Sequence, residues 1–314
     1  MPYVKLKMPE NPAGFELPLL DVDHITRKWL DVDYTPLKPH PSRKLDIYLP
    51  EEGNGPFPTI IAIHGGAFWA GAKNDVQVAA YMEAIPYGFA VVSVEQRLCS
   101  QLPGGGYSKE GIFPNAVFDF KAAIRFLRVN ADKYGLDASR FAVAGGSAGG
   151  YHAVIAVASA GNAALYDASL GFADISGEVA AVVDWFGVGD LILQSEFTAK
   201  TPAMILPDGI EFKLDNFADI FLGVPAPENP NLAYFAAPET WITDKMPPTF
   251  IQCGAADEVV PVACSRSIAA KIEAVCGKAR VVYEEFEGYT HGDPRFNDEA
   301  NIRHMADWLK KTLG

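Results

Sequence analysis

Short, β-rich apolar runs recur along the chain at Thr26–Asp33, Lys44–Leu49, Thr59–Ile63, Ala90–Val94, Phe141–Ala144, Ala181–Trp185, Thr249–Cys253 and Arg280–Phe286. From about residue 58 onward they alternate with stretches of helical spacing at Val76–Ile85, Asn115–Tyr134, Ala148–Ala160, Ala263–Cys276 and Asp298–Leu313. Within Asn115–Tyr134, the residues Val117, Phe120, Ala123, Ile124, Leu127 and Val129 fall mostly on one helical face. This alternation predicts an α/β fold: a mostly parallel eight-stranded sheet with helices on both faces. The first two runs have no helix between them and could open the sheet antiparallel. Right-handed crossovers bring the loops that leave the strands' carboxyl ends onto one rim, where ligands bind in such sheets.

The alternation stops between Gly187 and about Trp241. That stretch holds Pro202, Pro207, Pro225, Pro227, Pro230 and Pro238, with two possible short helices near Leu191–Met204 and Phe212–Phe221. It is too long and too apolar for a plain connection. Phe212, Leu214, Phe217, Ile220, Phe221 and Leu222 argue for a packed insertion. We read 187–241 as a helical lid or cap after the sixth strand, the alternative being helices that only cover the sheet edge. The whole chain, 1–314, reads as a single catalytic domain carrying that insertion.

Composition narrows the function. The chain has 314 residues, 49% of them hydrophobic, and a formal net charge of −13. An acidic surface repels phosphate backbones and anionic lipid, so neither nucleic acid nor a membrane is expected as a partner. No run of 18 apolar residues occurs, and the opening stretch, broken by Pro2, Pro9 and Pro12, lacks an apolar segment of signal-peptide length. Cys99, Cys253, Cys264 and Cys276 show no CxxC spacing, and Cys253 and Cys264 lie in or beside apolar runs as buried free thiols do. The expectation is a soluble, cytoplasmic protein, with a homo-oligomer open. No HxxxH or Cys/His cluster appears, so no metal and no cofactor are expected.

The strongest local signal is Arg140-Phe-Ala-Val-Ala-Gly-Gly-Ser-Ala-Gly-Gly-Tyr. A β-run ends in Gly145-Gly146-Ser147-Ala148-Gly149 and a small-residue helix follows, which is G-x-S-x-G in its strand–turn–helix setting. A nucleophile on so sharp a turn needs neighbours without side chains. The helix start after Ser147 aims free N–H groups, that of Ala148 among them, at developing negative charge. Upstream, Thr59-Ile-Ile-Ala-Ile runs into His64-Gly65-Gly66-Ala67-Phe68-Trp69, where paired glycines after a strand can turn backbone N–H groups into a site.

A serine hydroxyl needs a base, and the base an orienting carboxylate. Among six histidines, His291 alone lies in a loop directly after the last strand, whereas His64 reads as scaffold of the donor loop. Asp257 follows the strand Thr249–Cys253 in a loop of its own, with the adjacent Glu258 as the alternative acid. The chain order Ser147, Asp257, His291 is that of the α/β-hydrolase triad. Phe68, Trp69, Trp185 and Phe186 sit near the rim and are expected to wall a substrate pocket.

On the residues His64-Gly65-Gly66, Gly145-Gly146-Ser147-Ala148-Gly149-Gly150, Asp257 and His291, the sequence resembles the α/β-hydrolase carboxylesterases of the hormone-sensitive-lipase-like and feruloyl-esterase-like (BD-FAE type) group over roughly residues 25–312. The resemblance implies an oxyanion hole from the N–H groups of Gly66, Ala67 and Ala148, with Ala67 standing where a third glycine is usual. The loop Cys99–Phe113, with its Leu102-Pro-Gly-Gly-Gly-Tyr insert, is longer than the resemblance leads one to expect and should shape the pocket. The expected activity is hydrolysis of small-molecule esters with short- to medium-chain acyl groups, including acetyl or feruloyl groups on carbohydrates. An amidase of kynurenine-formamidase or peptidase type, or a ligand-binding protein on a hydrolase fold without activity, are the alternatives.

Overall fold

In a computed structural model of the chain, residues 18–205 and 211–314 are described. The N-terminal stretch read above and Pro207 lie outside them. The elements in chain order are β1 (Lys28–Asp33), β2 (Lys44–Tyr48), β3 (Phe57–Ile63), α1 (Ala79–Met82), β4 (Ala90–Val94), α2 (Asn115–Val129), α3 (Ala131–Tyr134), β5 (Leu136–Gly146), α4 (Ala148–Ala158) and β6 (Ala181–Trp185). There follow α5 (Leu191–Lys200), β7 (Met204–Ile205), β8 (Glu211–Phe212), α6 (Phe217–Leu222), α7 (Pro230–Ala236), β9 (Thr249–Gly254), α8 (Ala263–Cys276), β10 (Val281–Phe286) and α9 (Glu299–Leu313).

Eight strands form one sheet in the order β1-β2-β4-β3-β5-β6-β9-β10. β1 and β2 join it antiparallel and the rest are parallel, as the helix-free opening suggested. Alternate side chains of the central strands feed two separate cores. Ile61, Ile63, Val92, Val94 and Val143 pack with α2, α4 and α8 on one face. Ile60, Ala62, Val91, Ala144 and Val183 pack with α1 and α9 on the other. Burial on both faces explains why these strands read as continuous apolar runs rather than as alternating ones. The register pairs Ile63 with Gly145, Gly146 with Trp185, and Phe286 with Gly254, so five strands end side by side on one rim.

Several element boundaries differ from the expectation. Asn115–Tyr134 is two helices that meet at Asn130, whose side-chain amide and backbone N–H both donate to the Phe126 carbonyl, at 2.8 and 3.1 Å. Val76–Ile85 is a 3₁₀ turn, capped by the Asp75 carboxylate, followed by the single turn α1. In the 187–241 segment, α5 stops at Lys200, before Pro202. Phe212 lies in β8, and α6 begins only after its cap Asn216. α7, with Pro230 at its first position, was not expected at all. A third apolar cluster joins this segment to α4 through Phe217, Phe221, Leu222, Tyr151 and Ile155. No helix among the described residues is long and apolar enough to cross a membrane.

Candidate active site

Ser147 links β5 to α4 with φ 57° and ψ −124°, a backbone conformation that L-residues avoid at a cost of about 1–3 kcal/mol. Its surroundings fix it there. The Ser147 N–H donates to the Trp185 carbonyl at 2.9 Å, and its own carbonyl accepts from Tyr151 at 3.2 Å. Glycine is required on both sides: a Cβ at Gly145 would fall 2.3 Å from the Gly149 backbone, and one at Gly149 would fall 2.3 Å from the Ile63 carbonyl oxygen. The small residues therefore let α4 press its first turn onto the ends of β3 and β5.

His291, in the loop after β10, brings Nε2 to 3.0 Å from Ser147 Oγ. Its Nδ1 lies 2.7 Å from Asp257 Oδ2, in the loop after β9. Asp257 is buried, and its other oxygen accepts the N–H groups of Val259 and Val260 at 2.9 and 2.8 Å. A carboxylate facing those donors accepts at the imidazole as well, so Nδ1 carries the proton and the Nε2 lone pair is left to face the serine hydroxyl. Glu258, the alternative acid, instead accepts from the His291 backbone N–H at 3.4 Å. The Phe186 ring stands edge-on to the imidazole at 4.9 Å.

The loop after β3 turns back on itself through three successive residues at positive φ: Gly66 (96°), Ala67 (52°) and Phe68 (65°). Gly66 admits no side chain, since a Cβ would sit 2.1 Å from the Ala70 carbonyl oxygen, and its own carbonyl accepts from Trp69 and Ala70. Among the described residues the N–H groups of Gly66, Ala67 and Ala148 make no hydrogen bond, and Gly66 and Ala67 line the cavity above Ser147. His64 anchors this loop from beneath, with Nδ1 at 2.9 Å from the Gly65 carbonyl and Nε2 at 3.0 Å from Glu95. Both neighbours are acceptors, which favours the doubly protonated ring. Burial pushes its pKa down, but the hydrogen bond and charge of Glu95 outweigh that and the pKa is raised. Glu95 also takes the Lys73 N–H, and Asp75 the Ala72 N–H, so two acids that the sequence reading missed hold the loop at both ends.

The cavity over Ser147 has a volume of about 470 Å³. Trp69, Trp185 and Phe186 line it as expected from the sequence, and Tyr81, Gln77 and Phe296, which sequence reasoning missed, line it too. Phe68 does not. Its positive φ turns the ring away into the third apolar cluster, where it stacks on Phe221 at 4.0 Å and meets Tyr151 edge-on. Leu214 brings the 187–241 segment to the cavity wall. Tyr107, from the glycine-rich loop after Cys99, hydrogen-bonds Asp215 of that segment and sets its ring 6.2 Å from Trp69.

Comparison with known proteins gives the family and the fold. The BD-FAE family profile matches residues 45–272. The chain is 28% identical over 262 residues to esterase LipQ of Mycobacterium tuberculosis, covering 82% of this chain and 55% of that protein. It is 32% identical over 146 residues to carboxylesterase patB of Penicillium expansum, covering 41% and 26%. The chain spans about half the length of the curated relatives it matches over most of its length. Among solved structures, a truncated form of a carbohydrate esterase from gut microbiota superposes with a TM-score of 0.75 at 26% identity, covering 94% of this chain and 99% of that one. A bacterial heroin esterase, at 23% identity and a TM-score of 0.66 over 92% and 84%, shares the fold. With an eight-stranded α/β-hydrolase sheet, the serine elbow on its rim and a profile match over most of its length, the chain belongs to the BD-FAE family.

Proposed function

We propose that the chain is a serine carboxylesterase acting on short- to medium-chain acyl esters, with Ser147 as nucleophile, His291 as base and Asp257 as its orienting acid. The observation that carries this reading is the unbroken relay from Asp257 through His291 to Ser147 Oγ, at 2.7 and 3.0 Å, opening into a cavity. His291 Nε2 takes the serine proton as Oγ bonds to the ester carbonyl carbon. The resulting oxyanion meets the N–H groups of Gly66, Ala67 and Ala148, each such donor being worth ~10²–10³ in turnover. The carbon–oxygen bond to the alcohol then breaks, and the alcohol leaves with the proton from His291. A water, deprotonated by the same nitrogen, releases the acid and restores the serine.

The size of the cavity and its wall of Trp69, Tyr81, Trp185, Phe186 and Phe296 favour a compact acyl group over a long chain. Aromatic faces next to amide and carboxyl groups also suit sugars. A carbohydrate ester carrying acetyl or feruloyl is the specific reading, supported by the likeness to a carbohydrate esterase. We read the chain, 1–314, as one catalytic domain and 187–241 as its lid or cap. A panel of p-nitrophenyl acetate through laurate, acetylated xylooligosaccharide, methyl ferulate and aminoacyl anilides tests the assignment. Ester kcat/KM should peak at short acyl lengths and exceed that on anilides. A peak on anilides, or no hydrolysis of any ester, overturns it.

A further inference from the structure

Gln77 is the one carboxamide that the turn before α1 sends toward the nucleophile. A Cβ at Gly65 would fall 2.7 Å from Gln77 Oε1 and 3.3 Å from Ser147 Cβ, so the amide oxygen and the serine flank the same glycine. The orientation of the amide is set by chemistry. The Asp75 carboxylate accepts the Gln77 N–H at 2.7 Å and the Ala72 N–H at 2.8 Å, and Gln77 Nε2 lies 3.2 Å from Oδ2 of the same group. An acceptor there claims the NH₂ end and leaves Oε1 facing Gly65 and the cavity, where no hydrogen bond among the described residues reaches it.

The side of the cavity to which this acceptor belongs follows from the wall around it. From His291 an aromatic chain runs through Phe186 (4.9 Å), Phe296 (4.9 Å) and Trp185 (6.1 Å) to Tyr81 (5.3 Å), and Tyr81 sits one helical turn from Gln77. His291 Nε2 is the atom that returns a proton to the departing alcohol, so the wall that begins at His291 is the one the alcohol lies against. A fixed acceptor beside Gly65 and Ser147, on the element that carries Tyr81 into this wall, is matched by a donor on the alcohol close to the ester oxygen.

Resting on the esterase reading above, we infer that Gln77 is a specificity-determining residue whose Oε1 accepts a hydrogen bond from a free hydroxyl adjacent to the ester on the alcohol side. The substrate class is then a partial ester of a polyol, with a vicinal hydroxyl left free. A group held by Asp75 is preorganised for this role, because its rotamer is fixed before substrate arrives.

The test compares kcat/KM on the monoacetate of trans-1,2-cyclohexanediol with that on cyclohexyl acetate, each normalised to its hydroxide hydrolysis, for wild type and Gln77→Met. A ratio does not respond to a general loss of folded or active enzyme. The wild type should prefer the hydroxylated ester by about tenfold, the value of one net hydrogen bond, and Gln77→Met should bring the ratio to about one. A wild-type ratio near one, or the same ratio in wild type and variant, overturns the inference. So does a Gln77-dependent preference found only for cyclohexyl hydroxyacetate, whose hydroxyl lies on the acyl side. Hydrolysis of neither acetate by the wild type overturns the esterase reading as well, so the two failures are told apart.

Discussion

Ser147 is held in a backbone conformation that costs energy so that its hydroxyl meets an imidazole whose tautomer is fixed from behind. Each partner does one thing: Asp257, with one oxygen on two backbone N–H groups and the other on Nδ1, decides which nitrogen of His291 is free. Removing the serine and removing the tautomer control should therefore differ in degree. Ser147→Ala should lower kcat on p-nitrophenyl acetate by about 10⁶. Asp257→Asn, which keeps the shape but not the acceptor, should lower it by about 10⁴. Steady-state kinetics on variants with matched circular dichroism check both, and an Asp257→Asn enzyme within tenfold of wild type would show that the acid plays no such part. These three residues were legible in the sequence because each follows a strand end directly, and strand ends share a rim. Phe68 was misplaced because nothing in its identity announces a positive φ, so two consecutive aromatics, Phe68 and Trp69, part company, one into the core and one onto the cavity. Gln77 and Tyr81 escaped notice because they stand on a 3₁₀ turn and on the single turn α1 that follows it, each too short to display a face in sequence.

At the scale of elements, the site depends on how closely α4 approaches the sheet and on what supports the donor loop from outside. Gly149→Ala would drive a methyl group to 2.3 Å from the Ile63 carbonyl oxygen, where backbone has to move. We expect a loss of about 3 kcal/mol in stability together with a fall in kcat, read by denaturant melts and by turnover. An unchanged midpoint would mean that helix and strand are less tightly apposed. Phe221, buried on α6, stacks on Phe68, so the 187–241 segment braces the loop that carries Gly66 and Ala67. Phe221→Ala should cost roughly 3–5 kcal/mol and reduce kcat more than it raises KM, because the donors act on the transition state. The central strands β3, β4, β6 and β9 were readable because burial on both faces makes them short and mostly apolar, whereas the edge strands β1 and β10 are half-exposed. The 187–241 segment was less so: α6 and α7 are six and seven residues long, begun by the Asn216 cap and by Pro230 rather than by any period a short helix can display.

At the scale of the whole molecule, the protein keeps acids in its interior behind the elbow. Asp184, fully buried on β6, contacts the positions of Gly150 and Gly187, and burial pushes its pKa up to about 7. Glu239 is pushed up to about 7 by burial as well. In the unfolded chain such carboxyls titrate near about 4. Between those values the folded state holds protons that the unfolded state has released, so each acid makes stability fall with rising pH by roughly 1 kcal/mol per unit, levelling off above about 7. Buried His152, lowered to about 3 chiefly by burial, acts in the opposite sense between about 3 and 6.5. Asp184→Asn isolates one acid: the stability of wild type relative to the variant should decline from pH 4 to 7 and stay flat from 7 to 9, as read by urea melts at each pH. Parallel curves would mean that Asp184 is ionised when folded. All of this architecture brings together residues 147, 257 and 291, and a serine-directed fluorophosphonate probe tests that convergence most directly. Peptide mass spectrometry should find a single adduct, on Ser147, in the wild type and none in His291→Ala. An adduct that persists without His291, or a wild-type protein that stays unlabelled, would contradict the account.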